Sequence, residues 1–532
     1  MTLVCKSVPA RPWCTPLFAA LVGLAGCTLP TDRVAVRERQ AVVDLVACRV
    51  RAPALTRAIT LAEALAYAER YNIEAWAARR EREFEHELAT QSWLKLLPGL
   101  IAGTESRHRS ELDAASSVSL QRGEQSLEAS YSSAQTRRVW DITATWNLLD
   151  FGISFFQARQ QANRVAIAAE RERRVRQNLA LEVTRAYWQA AVARVVAEEA
   201  RRVALEVDAT LERIQGEVAS QTLPALEGLK REAALLEHQE ELQRYERSYQ
   251  AALAELAGLL GVPPGSQLEL AEVDLDAPPP QWDVLLNAGL EDGESAAAPT
   301  SQPGQATDLA DRSRTGGGWS ATIAELEAEA LRQRPELFEK DCEQWISRDE
   351  AHIALARLFP SFGVFWRYDW DDNPYLAFNE WSTVGLRATW DLLSLPQQLV
   401  HHRAARLHTA LIEQRRLAVA VAILTQLHLA LIDCRQMAEQ YRLASAVAEK
   451  HRQLLVVVER ASAEGKSHAG ETLEQRLKWL KARARQLTAY ANLMTAHARL
   501  SNTLGRDPKA TTDDAPSAVN AAPTTTSANA NT

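Results

Sequence analysis

ATWNLLDFG at residues 144–152 and ATWDLLSLP at residues 388–396 are two versions of one motif, 244 residues apart. Other landmarks also occur twice and in the same order. They are Leu96-Leu97-Pro98 with Leu358-Phe359-Pro360, Gly216-Glu217-Val218-Ala219-Ser220 with Gly465-Lys466-Ser467, and Leu260-Gly261 with Leu504-Gly505. Self-similarity at a long spacing marks a repeated structural unit. The chain is therefore expected to consist of two copies of one unit.

Apolar and polar side chains alternate within and before these motifs. The apolar members are Trp140, Ile142, Ala144, Trp146 and Leu148 in the first unit, and Phe362, Val364, Trp366, Tyr368, Trp370, Val384, Leu386, Ala388, Trp390 and Leu392 in the second. A period of two predicts strands with one apolar face and one polar face. Each unit is expected to carry a strand pair, at about 99–150 and 361–394, joined by a polar loop at about 108–136 or 371–379.

Tryptophan is concentrated in these strand regions. Trp140, Trp146, Trp366, Trp370, Trp381 and Trp390 lie there, out of 14 in the chain. Aromatic residues so placed form interfacial girdles on membrane barrels. The alternative is a soluble sandwich whose apolar face is a core. Four strands cannot close a barrel alone, and no other strands are available to cover them, so oligomerisation is expected.

Between the strands, the sequence predicts unusually long helices. Residues 153–215 and 397–464 contain neither Gly nor Pro, which corresponds to about 95 and 100 Å of helix. Shorter helices are expected at 62–97, 229–257 and 471–504, with turns at the tip of each hairpin at Gly216 and Gly465. Two short helices stacked end to end match one long helix, which predicts a coiled-coil-like antiparallel layer.

Composition excludes several function classes. The 532 residues carry 60 basic and 68 acidic side chains, mixed along the chain, for a formal charge of −8. No broad positive field is available to attract nucleic acid. The six cysteines show neither CxxC pairs nor metal-ligand spacing, and His401, His402, His408 and His428 are interpreted as surface or seam residues. Neither a metal site nor a cofactor is expected.

The N-terminus has the pattern of an export signal. Lys6 and Arg11 precede an apolar run that ends in Leu24-Ala25-Gly26-Cys27. This ending resembles a bacterial lipobox, which implies a signal peptide at 1–26 and lipid attachment at Cys27. Thr28 then implies delivery to the outer membrane, whereas the alternative is an ordinary signal with a chance cysteine. No later stretch reaches about 18 uncharged apolar residues, so no transmembrane helix is predicted.

Taken together and in order, the landmarks resemble the TolC-like outer-membrane efflux protein family, over about residues 58–508. The resemblance implies a fold that is mainly α with a small β part. It also implies a homotrimer in which each chain gives four strands to a 12-stranded transmembrane β-barrel and its helices to a periplasmic α-barrel. Such an assembly is a conduit, so no catalytic residues are expected.

The resemblance also implies a gate at the periplasmic tip. The family carries acidic residues six and nine positions after the tip glycine of the second unit, and Glu471 and Glu474 stand at these spacings from Gly465. The alternative is that both glutamates merely suit the start of a helix. Arg460 and Arg476 are nearby candidates for ion pairs that hold the tip closed. In the first unit, Thr222 departs from the acidic pattern.

The expected function is the exit duct of a tripartite efflux system in the outer membrane, with a periplasmic adaptor and an inner-membrane pump or exporter as partners. The alternatives are a duct for protein or polysaccharide secretion and a non-transporting structural lipoprotein that spans the envelope. The sequence does not indicate the substrate. The expected regions are a signal peptide at 1–26, an N-terminal extension at 27–57, a first repeat at 58–274, a linker at 275–318, a second repeat at 319–508 and a disordered tail at 509–532.

Overall fold

The computed structural model describes residues 33–50, 53, 57–126, 128–263, 266, 268–275, 323–464 and 469–507. The signal peptide, Cys27, Gly465, the tail from residue 508 and nearly all of the expected linker lie outside these residues. The first half contains α1 (Arg33–Val50), α2 (Leu61–Tyr71), α3 (Ile73–Leu94), β1 (Gly99–His108), β2 (Ala114–Ala115), β3 (Ser130–Tyr131), β4 (Thr136–Asn147), α4 (Leu148–Ala219) and α5 (Ala225–Leu260). The second half contains α6 (Ile323–Gln333), α7 (Pro335–Ala356), β5 (Ser361–Asp371), β6 (Glu380–Thr389), α8 (Leu395–Ala463) and α9 (Ala469–Thr503).

The fold class predicted from the sequence is confirmed: the chain is mostly helical with few strands. Helix α4 has 72 residues and α8 has 69, or about 108 and 104 Å at 1.5 Å per residue. Strand β4 passes directly into α4, because the side chain of Asn147 accepts hydrogen bonds from the amides of Leu149 and Asp150. By contrast, residues 390–394 separate β6 from α8.

The helices form a single layer whose neighbours are set by the two long members. On one side, α4 contacts α3 and α5; on the other, it contacts α7 and α9, which also pack against α8. The order is therefore α3-α4-α7-α8 near the sheet and α5-α4-α9-α8 toward the hairpin tips. Within the described chain, the layer has two open edges, one formed by α3 and α5 and the other by α8.

The largest apolar core of this layer lies where the short helices meet. It contains the aromatic residues Tyr187, Trp188 and Tyr490 with Leu256 and Leu260, all nearly or fully buried. Burial raises the pKa of Tyr187 and of Tyr490 to about 12.

The first short helix is broken, which the sequence analysis did not expect. Asn72 has an extended ψ of 135°, caps α3 by accepting hydrogen bonds from the amides of Glu74 and Ala75, and donates to the carbonyl of Leu259 at 2.9 Å. Arg334, 262 positions later, makes the corresponding break before Pro335. The prediction of one helix over 62–97 was wrong because asparagine is tolerated in helices, and its contact with a distant carbonyl decides the outcome.

The tip turn of the first hairpin also lies away from its predicted position. Helix α4 continues through Gly216 to Ala219, and the turn occupies 220–224, where Gln221 has a φ of 59°. A glycine inside a long helix costs only about 1 kcal/mol. Pro224, which has no amide hydrogen and precedes α5, fixes the turn instead. The second predicted turn, at Gly465, lies outside the described residues.

Two glycines end the return helices α5 and α9 at the points where these helices meet the breaks at Asn72 and Arg334. Gly261 has a φ of 75° and Gly505 a φ of 76°. A Cβ atom on Gly261 would lie 2.8 Å from the carbonyl oxygen of Tyr71, and one on Gly505 would lie 2.8 Å from the backbone of Gln333. Both positions therefore require glycine for conformation and for space.

We expect Gly261→Ala to destabilise the protein by about 1–3 kcal/mol, because alanine is strained at this φ and its methyl group meets backbone. Thermal unfolding followed by circular dichroism measures the loss. Gly258→Ala is the matched control: Gly258 lies in α5, the helix that Gly261 ends, with nothing within 4 Å of a new Cβ, so this change should be neutral or stabilising. Equal melting temperatures for the two variants would contradict the role assigned to Gly261.

The strands form one antiparallel sheet in the order β1-β4-β5-β6, and β2 pairs with β3 in a separate hairpin of the first loop. The register places Trp140 opposite Trp370 and Ala144 opposite Trp366. Strands β1 and β6 have no further partner in the sheet of the described chain. The sheet, like the helical layer, therefore has two open edges.

By length and composition, α8 could cross a membrane, since one 18-residue window has a mean hydropathy of 2.0. The sequence analysis found no such stretch because Thr425, Gln426 and His428 interrupt the apolar residues. Only 28% of that window is buried, so most of its residues lie outside the core formed by the described chain. Core helices of soluble proteins pass the same test, and α8 packs along α7 and α9.

Candidate functional site

One face of the sheet is apolar and carries most of the predicted aromatic residues. Trp140, Trp146, Trp366 and Trp370 share this face, because alternate residues of paired strands point the same way. All four are exposed, with between 37% and 58% of their surface accessible. Exposed tryptophans on a sheet face of this kind suit a lipid interface.

The opposite face is polar and is organised by ion pairs. Arg367 donates to Asp369 at 2.8 Å, and Arg137 donates to the fully buried Asp371 through Nε at 2.7 Å. Trp381 pairs with Asp369 across β5 and β6, so it lies on this polar face. The grouping of Trp381 with the lipid-facing aromatics is therefore corrected: its strand partner places it opposite to them. Trp390 follows β6 and is 54% exposed.

The open edge at α8 carries a continuous apolar stripe. On an ideal helix, its members fall within about 60° of one line along the axis. They are Val400, Leu407, Leu411, Val421, Leu429, Ile432, Leu443, Val447, Leu454 and Val457, all exposed. The other side of α8 carries Ile412, Ile423 and Leu427, which are buried. The α8 stripe therefore lacks a covering surface within the described chain.

The other open edge is also partly apolar. Phe84, Trp93 and Leu94 are exposed on α3, and Leu229 and Leu236 are exposed on α5. Exposed large apolar side chains along the edges of a helical layer mark contact with another protein surface.

The contact inside the chain between α4 and the helices α7 and α9 contains charged side chains, unlike the apolar open edges. Charged pairs cross it: Arg171 with Glu339 at 2.7 Å, Arg174 with Glu336 at 3.6 Å, and Arg159 with the fully buried Asp349. Arg334 is also buried here, and desolvation lowers its pKa while the Glu336 carboxylate opposes this shift. Arg334 and Asp349 were missed by the sequence analysis; Pro335 was the available signal for a helix start at Arg334.

Glu471 and Glu474, the predicted gate residues, lie together at the tip. Both line a cavity of about 1000 Å³ between α4, α5 and α9, together with Arg213, Glu217, Arg231, Leu235, His238 and Lys478. The Glu474 carboxylate accepts a hydrogen bond from the Lys478 ammonium group at 2.7 Å, and this bond lowers the pKa of Glu474. Because the pKa is lowered, the stabilisation by this pair is present at neutral pH and is lost as pH falls through the lowered value.

Arg476 connects three helices near the same cavity. From α9, its guanidinium donates to Glu459 of α8 and to Glu206 of α4. These carboxylates raise the pKa of Arg476, the hydrogen bond to Glu459 most of all. Arg476 is one of the two arginines singled out from the sequence. It is placed to oppose separation of the second repeat from the first.

The histidine, cysteine and carboxylate side chains of the described residues do not gather into a metal centre. No group of three His, Cys, Asp or Glu side chains among them could hold a metal ion. His428 lies 2.8 Å from Glu327, and Cys342 and Cys434 are free and buried. Burial raises the pKa of the Cys434 thiol to about 12, which disfavours the reactive thiolate.

Comparisons with known proteins agree with this geometry. Residues 326–506 match the model of the family described as outer membrane efflux protein. The chain is similar to the solved MtrE outer membrane channel of Neisseria gonorrhoeae, in its open state, with 16% identity, a TM-score of 0.61 and coverage of 84% of this chain and 89% of that one. A search of curated proteins finds no match.

Two further solved structures give the same result. The CmeC outer membrane channel of Campylobacter jejuni has 11% identity and a TM-score of 0.62, covering 85% of this chain and 88% of that one. A membrane protein from Pseudomonas aeruginosa has 14% identity and a TM-score of 0.61, covering 85% of this chain and 98% of that one. Residues 326–506 are thus similar to the outer membrane efflux protein family, and the described chain has the fold of the solved outer-membrane channels.

Proposed function

We propose that three copies of this chain form the outer-membrane exit duct of a tripartite efflux system. The observation that carries the proposal is the pair of open edges. In the described residues, β1 and β6 each have a strand partner on one side only, and α3, α5 and α8 each have one side without a neighbouring helix. One cyclic contact between copies closes both layers at once.

Closure of the sheet is required by its surroundings. An apolar face exposed to lipid cannot coexist with unpaired strand edges, because hydrocarbon offers no hydrogen bonds to the free backbone groups. Three copies supply 12 strands, which form a barrel with an open lumen. The polar face, with Arg367, Asp369 and Arg137, then lines the lumen.

Closure of the helical layer continues this lumen. The apolar stripe of α8 meets α3 and α5 of the next copy, which present exposed Phe84, Leu229 and Leu236. The result is a hollow helical tube about 100 Å long, matched to the length of α4 and α8. A tube of this length carries substrate from an inner-membrane pump to the exterior without release into the periplasm.

The tip cavity faces the lumen, since the proposed gate residues Glu471 and Glu474 line it together with the apolar Leu235, Leu473 and Leu477 and with charges of both signs. The periplasmic adaptor then docks on the outer surface of the hairpin tips, as a helical hairpin packed against their helices. Efflux is favoured over secretion because the matched family model is that of efflux proteins.

The proposal is tested with purified protein in planar bilayers, together with Glu471→Ala and Glu474→Ala in one chain. Threefold symmetry brings six carboxylates to the tip, so the double variant should lose cation preference by at least about twofold. Glu237→Ala with Glu240→Ala is the matched control, since this exposed pair on α5 has the same spacing and does not line the cavity. Absence of any channel would contradict the function. A channel unchanged in conductance and preference would remove Glu471 and Glu474 from the gate.

We further propose that Cys27 carries lipid. Cys27→Ser should abolish incorporation of labelled palmitate, because acylation needs the thiol and the new amino terminus of this residue. The anchor adds to a barrel that inserts by itself, so the variant should still fractionate with the outer membrane. Label that persists in Cys27→Ser would reject the assignment.

A further inference from the structure

A further cavity lies near the middle of the helical layer, where α7 and α9 meet end to end between α4 and α8. It has a volume of about 610 Å³, and its charged lining residues are Arg174, Arg334, Arg499, Glu336 and Asp433. Three positive and two negative groups give this lining a net charge of +1. At one end the cavity reaches Leu429 and Ile432 of the α8 stripe, where the next copy of the proposed trimer borders it.

Arg334 occupies the position that an asparagine holds in the first repeat. Asn72 caps α3 by accepting hydrogen bonds from the amides of Glu74 and Ala75. Arg334 stands at the N-cap of α7, has no acceptor atom and makes no such side-chain cap. The second repeat therefore places a guanidinium group beside a helix start that its N-cap side chain leaves uncapped. Both features attract negative charge.

The guanidinium group of Arg334 is only partly compensated. Its terminal nitrogens donate to the carbonyl of Asn502 at 3.1 Å and to the side chain of Gln426 at 2.8 Å. None of the described residues accepts a hydrogen bond from its buried Nε. Burial lowers the pKa of Arg334, the Glu336 carboxylate opposes this shift, and Arg174 adds to it. An anion bound in the cavity would supply the missing negative charge.

The cavity opens on the inner side of the proposed tube. On one side of α4, Tyr187 donates to the carbonyl of Ile59 at 3.3 Å, and Ile59 pairs with Leu270 where backbone crosses the helices. A backbone crossing inside the tube would obstruct it, so this side of α4 faces outward. Arg174 and Asn178 lie about 140° and 180° around α4 from Tyr187, at 100° per residue. They therefore face the lumen.

Two half-exposed arginines stand at the opening of the cavity. The side chain of Arg174 is 50% exposed and lies 3.6 Å from Glu336, and that of Arg499 is 54% exposed and lies 2.8 Å from Asp433. A guanidinium group has five N–H donors, so each arginine keeps donors for a second partner. Its planar fork suits the paired oxygens of carboxylate and phosphate groups.

We propose that this cavity is a luminal oxyanion site, which takes the carboxylate or phosphate group of a solute as it passes through the duct. Arg334 and the start of α7 hold the anion, and Arg174 and Arg499 attract it from the lumen. Threefold symmetry places three such sites in one band, between the sheet and the acidic tip at Glu471 and Glu474. The role in transit rests on the proposed function, whereas the cavity lies within a single chain.

Fluorine NMR of the purified protein with 4-fluorobenzoate tests the proposal. Binding should broaden the signal, and inorganic phosphate should displace the probe, because both present oxyanions to the same donors. Arg334→Asn restores the arrangement of the first repeat and should weaken the affinity at least about tenfold. Arg174→Gln alters only a half-exposed side chain, so it keeps the test valid if the buried variant misfolds. It should weaken the affinity at least about fivefold.

Arg171→Gln is the matched control. Arg171 lies three residues earlier on the same side of α4, its side chain is also 50% exposed, and it pairs with Glu339 of α7. It does not line the cavity, whereas Arg174 does. The control removes the same luminal charge, so its affinity for 4-fluorobenzoate should equal that of the parent protein.

Several results would overturn the site. They are absence of binding to the parent protein, failure of phosphate to displace the probe, unchanged affinity in Arg334→Asn, and equal losses in Arg171→Gln and Arg174→Gln. Native mass measurement and planar-bilayer conductance on the same samples report on the trimer and the duct. A conducting trimer that does not bind the probe contradicts this inference alone. A chain that binds the probe but forms no channel contradicts the proposed function and, with it, the role in transit.

Discussion

Replacing Leu411 and Leu429 together by arginine is expected to leave the protein as monomers that form no channel. Both leucines belong to the exposed α8 stripe, with 46% and 60% of their surface accessible in the single chain. In the closed ring, each arginine would be buried without a partner, at a cost of at least about 3 kcal/mol. Threefold symmetry places six such charges in one assembly. Native mass spectrometry in detergent gives the oligomeric state, and planar bilayers give the conductance.

Leu205→Arg is the matched control for this prediction. Leu205 is 71% exposed, but it lies on α4, which has neighbours from its own chain on both sides. This variant should remain trimeric and conduct normally. A trimeric Leu411→Arg, Leu429→Arg double variant with normal conductance would show that α8 is not the contact between copies.

Arg476→Ala is expected to open the periplasmic tip. The change removes the hydrogen bonds that join α9 to Glu459 of α8 and Glu206 of α4. Charge-assisted hydrogen bonds contribute about 1.5–3 kcal/mol each in favourable settings, and partial solvent exposure of Arg476 reduces this value. A loss of even about 1.4 kcal/mol per trimer shifts the closed-to-open ratio about tenfold. Single-channel conductance should rise, and cells should become sensitive to large antibiotics.

Lys478→Ala serves as the control for the opening experiment. Lys478 lies two residues away on the same helix and pairs with Glu474 of that helix, so it joins no other element. Its removal should change selectivity more than closure. If both variants conduct like the parent, the cross-helix bonds of Arg476 do not hold the tip closed.

The long helices and the strands were predictable because their patterns run uninterrupted. More than 60 residues without Gly or Pro leave few structures other than a helix, and a strict period of two between such segments indicates strands. The two halves also supported each other, since the same motif preceded both α4 and α8. The open edges of the sheet were predictable because four strands are too few to close a barrel. The apolar stripe of α8 could be identified only from the structure, which shows which side of this helix is buried.

The positions that sequence analysis missed are those fixed by distant contacts. The break at Asn72 depends on the carbonyl of Leu259, and the face of Trp381 depends on its pairing with Asp369. The tip of the first hairpin moved from Gly216 to 220–224 because a helix can absorb one glycine, while Pro224 cannot continue it. Helix α1 carried no strong periodicity, so the sequence predicted only an extension there.

The junctions between sheet and helices differ in the two repeats, and this difference sets the mechanics of the proposed duct. Strand β4 enters α4 without an intervening residue and with an Asn147 cap, so α4 is a rigid continuation of the sheet. Residues 390–394 between β6 and α8 can absorb changes in backbone angle, as hinge segments do. Helix α8 can therefore tilt about residues 390–394 while α4 keeps its direction relative to the sheet. At the far end of a helix about 104 Å long, a tilt of about 5° moves the tip by about 9 Å.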